Sequence, residues 1–290
     1  MTYKGTVIRP PSEADSLLIQ VTYGCSHDKC AFCGTYPGKA FKIRTFAEIK
    51  ADLEWAKKNI DGEFRRIFLC DGDAMCLSFN KLMEILNLIN SLFPDIQRIG
   101  IYANARNILA KTEEELTEFS RNKLTIAYLG LESGSDKILK AVNKGSTARE
   151  MTDAVIRAQK CGIKMSVIGL LGLGGRKLSR EHALETARVC NAMNPRFLSF
   201  LTLMLVPGTP LCDDYENGRF ELLTAGEMLE ELHLIVTNLE LNGTIFRTNH
   251  ASNYAPLEGT LPKDKDKLLR LLKTYLRGEA PVKDEFWRGL

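Results

Sequence analysis

Three of the chain's eight cysteines, Cys25, Cys30 and Cys33, stand within nine positions, in the segment GCSHDKCAFCGTY (24–36). Three thiolates at short spacing in a loop can hold three corners of an iron–sulfur cubane, whereas a structural zinc site takes four protein ligands. The fourth ligand therefore discriminates. His27 lies inside the loop, two positions from Cys25, and is poorly placed to close a tetrahedron with its neighbours; no second C-x2-C pair exists in the chain. An iron with an open position is the better reading, with zinc and unligated thiols as the alternatives. Cys70, Cys76, Cys161, Cys190 and Cys212 are scattered. Cys161 and Cys190 fall on helical faces and read as small core hydrophobes.

A chain of 290 residues, 44% hydrophobic, can bury a substantial core and needs no disulfide or metal staple to fold. The segment MTYKGTVIRPPSEADS lacks the basic and apolar runs of a signal peptide, and no stretch approaches the roughly 20 apolar residues of a membrane span. The expectation is a cytoplasmic protein that does not enter membranes, in a reducing compartment where clustered thiols point to metal or redox chemistry. Net charge is +3 from 39 basic and 36 acidic residues, without the basic block of a phosphate-backbone footprint. A small-molecule substrate is favoured over nucleic acid.

These cysteines need a scaffold, and the periodicity supplies one. Short β-rich runs at 16–23, 65–70, 98–104, 124–131, 164–172, 197–205 and, more weakly, 244–249 alternate with amphipathic helical patterns beginning at Phe46, Ser78, Glu113, Ala148, Ser179 and Ala225. Several runs are apolar on both faces, as in parallel strands covered by helices. A doubly wound sheet fits this α/β count as well as a barrel. The barrel is favoured because GCSHDKC, DGDA, ANARN, ESGSDK, GLGG and VPGTP all follow strands, at the carboxyl ends where barrels gather their sites. The expected organisation is an N-terminal extension (1–15), a core (16–210) and a C-terminal extension (211–290) with an added strand and helices.

C-x4-C-x2-C directly after the first strand, with Phe32 before the last cysteine, resembles the radical S-adenosylmethionine superfamily, whose usual spacing is C-x3-C-x2-C. LGLESGSDKILKAVNKGST (129–147) is similar to the fourth-strand segment, and MLVPGTPL (204–211) to the sixth-strand turn, of the branch holding anaerobic coproporphyrinogen oxidases, the Elongator catalytic subunit and the methylthiotransferases. The resemblance covers roughly residues 16–210. It implies a partial (β/α)6 TIM-type barrel, a [4Fe–4S] cluster on Cys25, Cys30 and Cys33, and S-adenosylmethionine chelating the open iron. One-electron reduction, with a flavodoxin or ferredoxin as donor, would then give methionine and a 5′-deoxyadenosyl radical.

The same resemblance places Asp71, Gly72 and Asp73 at the turn that receives the methionine ammonium. Asp71 stands where a glycine is common. Glu132, with Ser133 beside it, would meet the ribose diol. Lys144 occupies the place of an arginine that pairs with the cofactor carboxylate, keeping the charge without the bidentate fork. Phe32 and Asn104 would face the cofactor, and Ile168–Leu173, with Gly169 and Leu170, would lie against adenine. The chain's own residues suggest where substrate lies: Arg247, Asn249, His250, Asn253 and Tyr254 put five hydrogen-bonding side chains into eight positions, with Tyr36 and Arg106 as further candidates for the mouth. Capping or barrel closure is the alternative for that segment. No cysteine follows Cys212, which argues against auxiliary clusters. The leading reading is an enzyme that abstracts hydrogen from a small or medium-sized substrate; the rival is an iron–sulfur or zinc module for binding or electron transfer on a degenerate barrel.

Overall fold

A computed structural model describes residues 1–36, 38–60 and 64–289. The chain divides into two compact units, the first made of Met1–Asp28, Thr35–Leu129 and Ala154–Met165, the second of Lys29–Gly34, Gly130–Asp153 and Ser166–Leu290.

In the first unit the expected opening strand splits at Val21 into β1 (Leu17–Gln20) and β2 (Thr22–Tyr23), and β2 pairs antiparallel with β3 (Lys42–Ile43), which the periodicity did not reveal. The helix α1 (Phe46–Asn59) starts at a capping box of Thr45 and Glu48, which satisfies two otherwise unpaired backbone N–H groups, and carries Lys57 and Lys58 at its negative end. It buries Ile49, Leu53 and Ala56, and also Asp52, whose charge is met by Arg44 Nη1 at 2.8 Å. The unit continues through β4 (Arg66–Cys70), α2 (Phe79–Leu92), β5 (Arg98–Tyr102), the short α3 (Ala105–Leu109), α4 (Glu113–Arg121) and most of β6 (Leu124–Glu132), whose last three residues belong to the second unit. β1, β4, β5 and β6 lie side by side and parallel, with Leu17 opposite Ile67 and Arg66 opposite Arg98. Ile67 to Cys70 are all buried, the mark of a parallel strand covered on both faces.

Between these strands Phe68, Tyr102 and Tyr128 stack edge to face, their centroids 4.8 to 6.2 Å apart. Below them sits Glu13, fully buried, accepting from Ser16 Oγ, from Arg98 Nη2 at 2.7 Å and from the Tyr128 hydroxyl. A buried carboxylate is costly unless its oxygens are paired, and here the first 15 residues, expected only as an extension, supply it to the core of the unit.

The second unit holds α5 (Asp136–Ala141), the start of α6 (Ala148–Lys160), most of β7 (Lys164–Leu171), α7 (Gly175–Met193), β8 (Phe197–Thr202), α8 (Pro210–Glu216), α9 (Ala225–Asn238), β9 (Thr244–Arg247), β10 (Glu258–Leu261) and α10 (Lys265–Leu276). β7, β8 and β9 are parallel and β10 adds antiparallel to β9. α7 begins four residues before its apolar pattern, because Gly175, at φ 58°, lets the chain enter the helix straight from the β7 turn. Cys190 lies buried on α7; Cys161, also buried, falls just past the end of α6 and not on its face.

Candidate active site

Past the carboxyl end of β2 the chain turns at Gly24, whose φ of 73° favours glycine. Its N–H donates to Asp71 Oδ2 at 3.2 Å, and Gln20 Nε2 donates to the same oxygen at 3.2 Å. Asp71 is 1% exposed, and among the described residues its Oδ1 has no hydrogen-bond partner. A side chain at Gly72 would put its Cβ 2.8 Å from Cys25 Cβ and 2.7 Å from the Tyr36 ring, so only glycine permits this approach of turn and cysteine loop. Burial, and then the negative charge of Asp71, push the Tyr36 phenol well above its ordinary range.

Asp73, also 1% exposed, is surrounded. Its Oδ1 accepts from Asn104 N at 3.2 Å, and its Oδ2 accepts from Ser26 Oγ, Asn104 Nδ2 and Asn107 Nδ2. Desolvation raises its carboxyl nonetheless. Asn104 also caps α3 by accepting from Asn107 N. Arg106 is exposed, with Nη2 3.4 Å from His27 Nδ1. Burial, and then the charge of Asp73, push the neighbouring Cys76 thiol up to about 12. Gln20, Ser26 and Asn107 thus join the site without having been expected; their one sequence signal was proximity to the punctuation after strands.

In the second unit the C-x2-C half is pinned through its middle. Cys33 N donates to Cys30 O at 3.1 Å, Ala31 N to Val142 O at 2.9 Å, and Leu211 N to Ala31 O at 2.9 Å. Phe32 and Leu170, both expected at the cofactor, pack on the same apolar cluster of Ile138, Val142, Leu173, Leu203 and Leu211. Glu132 closes β6 in the left-handed region, at φ 62°, and its Oε1 is 2.9 Å from Lys144 Nζ. Ser133 is fully buried. Gly169 is buried on β7, where an added Cβ would stand 2.4 Å from the Phe200 ring.

The polar segment after β9 is divided in its allegiances. Arg247 is half-buried and Asn249 exposed. His250 Nδ1 is 2.9 Å from Ser252 Oγ, and burial, with Lys283 nearby, holds its imidazole below the usual range. Asn253 is buried and spans to β8, donating to Phe200 O at 2.8 Å and accepting from Thr202 Oγ1 at 2.8 Å. Tyr254 donates to Glu285 Oε2 at 2.8 Å and accepts from Arg288 Nη1 at 2.6 Å, with the guanidinium 4.1 Å from its ring centroid.

Among the described residues no group of three His, Cys, Asp or Glu side chains is gathered as metal ligands. The ligand role of the three thiols therefore rests on spacing and kinship. The model of the radical SAM superfamily matches residues 19–190, more than half the chain, and the protein belongs to that superfamily of enzymes. An uncharacterised protein of Methanocaldococcus jannaschii is 24% identical over 222 residues, 73% of this chain and 67% of that one. A provisionally named methylthiotransferase of the same archaeon is 26% identical over 161 residues, so that the chain spans only 34% of its length. Among solved structures, the coproporphyrinogen III oxidase of Escherichia coli, described as a radical SAM enzyme, is 17% identical with a TM-score of 0.56, covering 77% of this chain and 51% of that one. At that identity the likeness shows the fold, the α/β partial TIM-type barrel of radical SAM enzymes. All three kinds of protein in the branch suggested by the fourth-strand and sixth-strand motifs, the coproporphyrinogen oxidases, the Elongator catalytic subunit and the methylthiotransferases, are represented among the similar proteins. Among the described residues no helix is long and apolar enough to cross a membrane.

The superfamily generally uses a [4Fe–4S] cluster and S-adenosylmethionine. The residues fit both. Cysteine thiols are the soft donors that iron–sulfur clusters take; within the first unit Asp71 Oδ1, without a hydrogen-bond partner among the described residues, suits an ammonium, and within the second Phe32 and Leu170 pack on one apolar cluster of the kind that suits adenine.

Proposed function

We propose that this protein reductively cleaves S-adenosylmethionine at a [4Fe–4S] cluster and uses the resulting 5′-deoxyadenosyl radical to abstract hydrogen from a small or medium-sized substrate. Cys25, Cys30 and Cys33 would hold the cluster. Asp71 would take the methionine ammonium through its free oxygen; Asp73 and Asn104, bonded to each other, would set the wall of that turn around Gly72. Glu132 would accept from the ribose, with Ser133 beside it, and Lys144 would meet the carboxylate; their ion pair keeps both side chains oriented meanwhile. Phe32, Gly169 and Leu170 would face adenine and exclude water. The core at 16–210 would carry this chemistry, and the extension at 211–290 would bring Arg247, Asn249, His250, Asn253 and Tyr254 to the substrate, with Tyr36 and Arg106. A flavodoxin or ferredoxin would deliver the electron in the cytoplasm.

The observation that carries the reading is the superfamily match to residues 19–190, a span that contains the three thiols. The test is anaerobic reconstitution with iron and sulfide, then dithionite and S-adenosylmethionine. The expected products, even without substrate, are 5′-deoxyadenosine and methionine. A well-formed cluster that gives no cleavage would point instead to an iron–sulfur module for binding or electron transfer.

A further inference from the structure

A chain of buried polar groups runs through the second unit, and none of it has a role in the reading above except Ser133. His182, on α7, is fully buried. Its Nδ1 is 2.8 Å from Ser133 Oγ and 3.5 Å from Thr186 Oγ1, and that Thr186 oxygen accepts from Gly134 N at 2.9 Å. On its other side Nε2 is 3.6 Å from Oε1 of Glu231, both side chains being shut off from solvent. Glu231 belongs to α9. Its Oε1 accepts from Gly172 N at 2.7 Å and its Oε2 from Ser179 Oγ at 2.5 Å. One imidazole thus stands between the turn after β6, at Ser133 and Gly134, and the turn after β7, at Gly172.

The chemistry of the chain is directional. Burial holds His182 below its ordinary range, so the ring is neutral and has one N–H. The Glu231 carboxylate faces Nε2 across 3.6 Å, which favours the proton on that nitrogen and leaves Nδ1 to accept from the Ser133 hydroxyl. Glu231 fixes a position that tolerates little change: Gly172 has φ 82°, and an added Cβ would stand 2.3 Å from Met228 Cε of the same helix. Burying a carboxylate is costly, and an apolar side chain on α9 would pack without that cost. What the glutamate adds is a fixed acceptor for the Gly172 N–H in the β7 turn.

We infer that His182 and Glu231 form a buried buckle that sets the turns after β6 and β7 relative to one another, and so tunes the affinity for S-adenosylmethionine. This rests on the proposed placement of the cofactor at Glu132, Ser133, Gly169 and Leu170. Both are positioning residues. Glu231 lies beyond residues 19–190 of the superfamily match, so the C-terminal extension becomes part of the cofactor site and not an appendage.

The test is titration of S-adenosylmethionine into the reconstituted full chain by calorimetry, with iron content and the paramagnetic signal of the reduced cluster followed in parallel. Glu231→Leu strands the Gly172 N–H and should raise Kd about tenfold or more at normal iron content, with a smaller cofactor-induced change in the signal. Glu231→Gln keeps an acceptor for Gly172 and should recover most of that loss. His182→Gln keeps reach toward Glu231 but loses Ser133 and should weaken binding severalfold. Because Ser133 and Glu231 act through one ring, Ser133→Ala and Glu231→Leu together should cost less than the product of the two. Unchanged Kd in Glu231→Leu, or in His182→Gln should the former not fold, overturns the inference, as does a full multiplication of the losses. Glu132→Ala is measured alongside. If it weakens binding while the buckle variants do not, the buckle alone falls; if none of them weakens it, the cofactor placement falls too.

Discussion

Asp73 was expected from its position to receive an ammonium, yet the structure gives it four donors from its own chain, and the two roles respond differently to truncation. Asp73→Ala would leave Ser26 Oγ, Asn104 N, Asn104 Nδ2 and Asn107 Nδ2 facing a space where a 1%-exposed carboxylate had been. Breaking a buried, charge-assisted network of this size costs about 3–5 kcal/mol. Unfolding entropy near 2.1 cal/mol/K per residue, over 290 residues, is about 600 cal/mol/K, so each kcal/mol moves Tm by roughly 1.6 °C. The expected drop is about 5–8 °C, in scanning calorimetry of protein carrying no cluster, where neither iron nor cofactor contributes. Asp73→Asn should fall nearly as far, since its amide would face donors with a donor. If Asp73 served only the ammonium, cluster-free Tm would stay within about 1 °C and only cofactor affinity would suffer. That result would refute the reasoning.

Cys30→Ala should abolish the absorbance and paramagnetic signal of the cluster, whereas Cys190→Ala, at a fully buried site on α7, should leave iron content unchanged and lower Tm by a few degrees; full iron in Cys30→Ala would count against the ligand assignment. Tyr254→Phe removes the donor to Glu285 and the acceptor for Arg288. Should the segment serve substrate, uncoupled cleavage of S-adenosylmethionine stays near normal while turnover of the true substrate is lost; a parallel loss of both with a lower Tm identifies it as barrel closure.

What the sequence determined by itself is what depends on neighbours a few positions away. The C-x4-C-x2-C spacing, the capping box that starts α1 at Phe46, the buried face of α1 and the doubly apolar run of β4 are all written within one turn or one strand, because helix and strand repeat every 3.6 and 2 residues. The split of the first strand was not, since Val21 N is claimed by Cys70 O and Val21 O by Arg44 N, partners that only the folded chain brings up. Glu13 read as part of an extension until Arg98 and Tyr128 met it in the core. Asp71 and Asp73, two positions apart and alike in type, carried no local sign of which would find donors within the chain. Strand register and the turn at Gly72 gave one of them four donors and left the other an oxygen unpaired. His182 and Glu231 looked like ordinary polar breaks in two amphipathic helices, 49 residues apart, and became a pair only where α7 and α9 pack. Such contacts depend on which elements lie side by side, and tertiary packing alone decides that, because burial makes a polar group's partner obligatory without naming it in the local pattern.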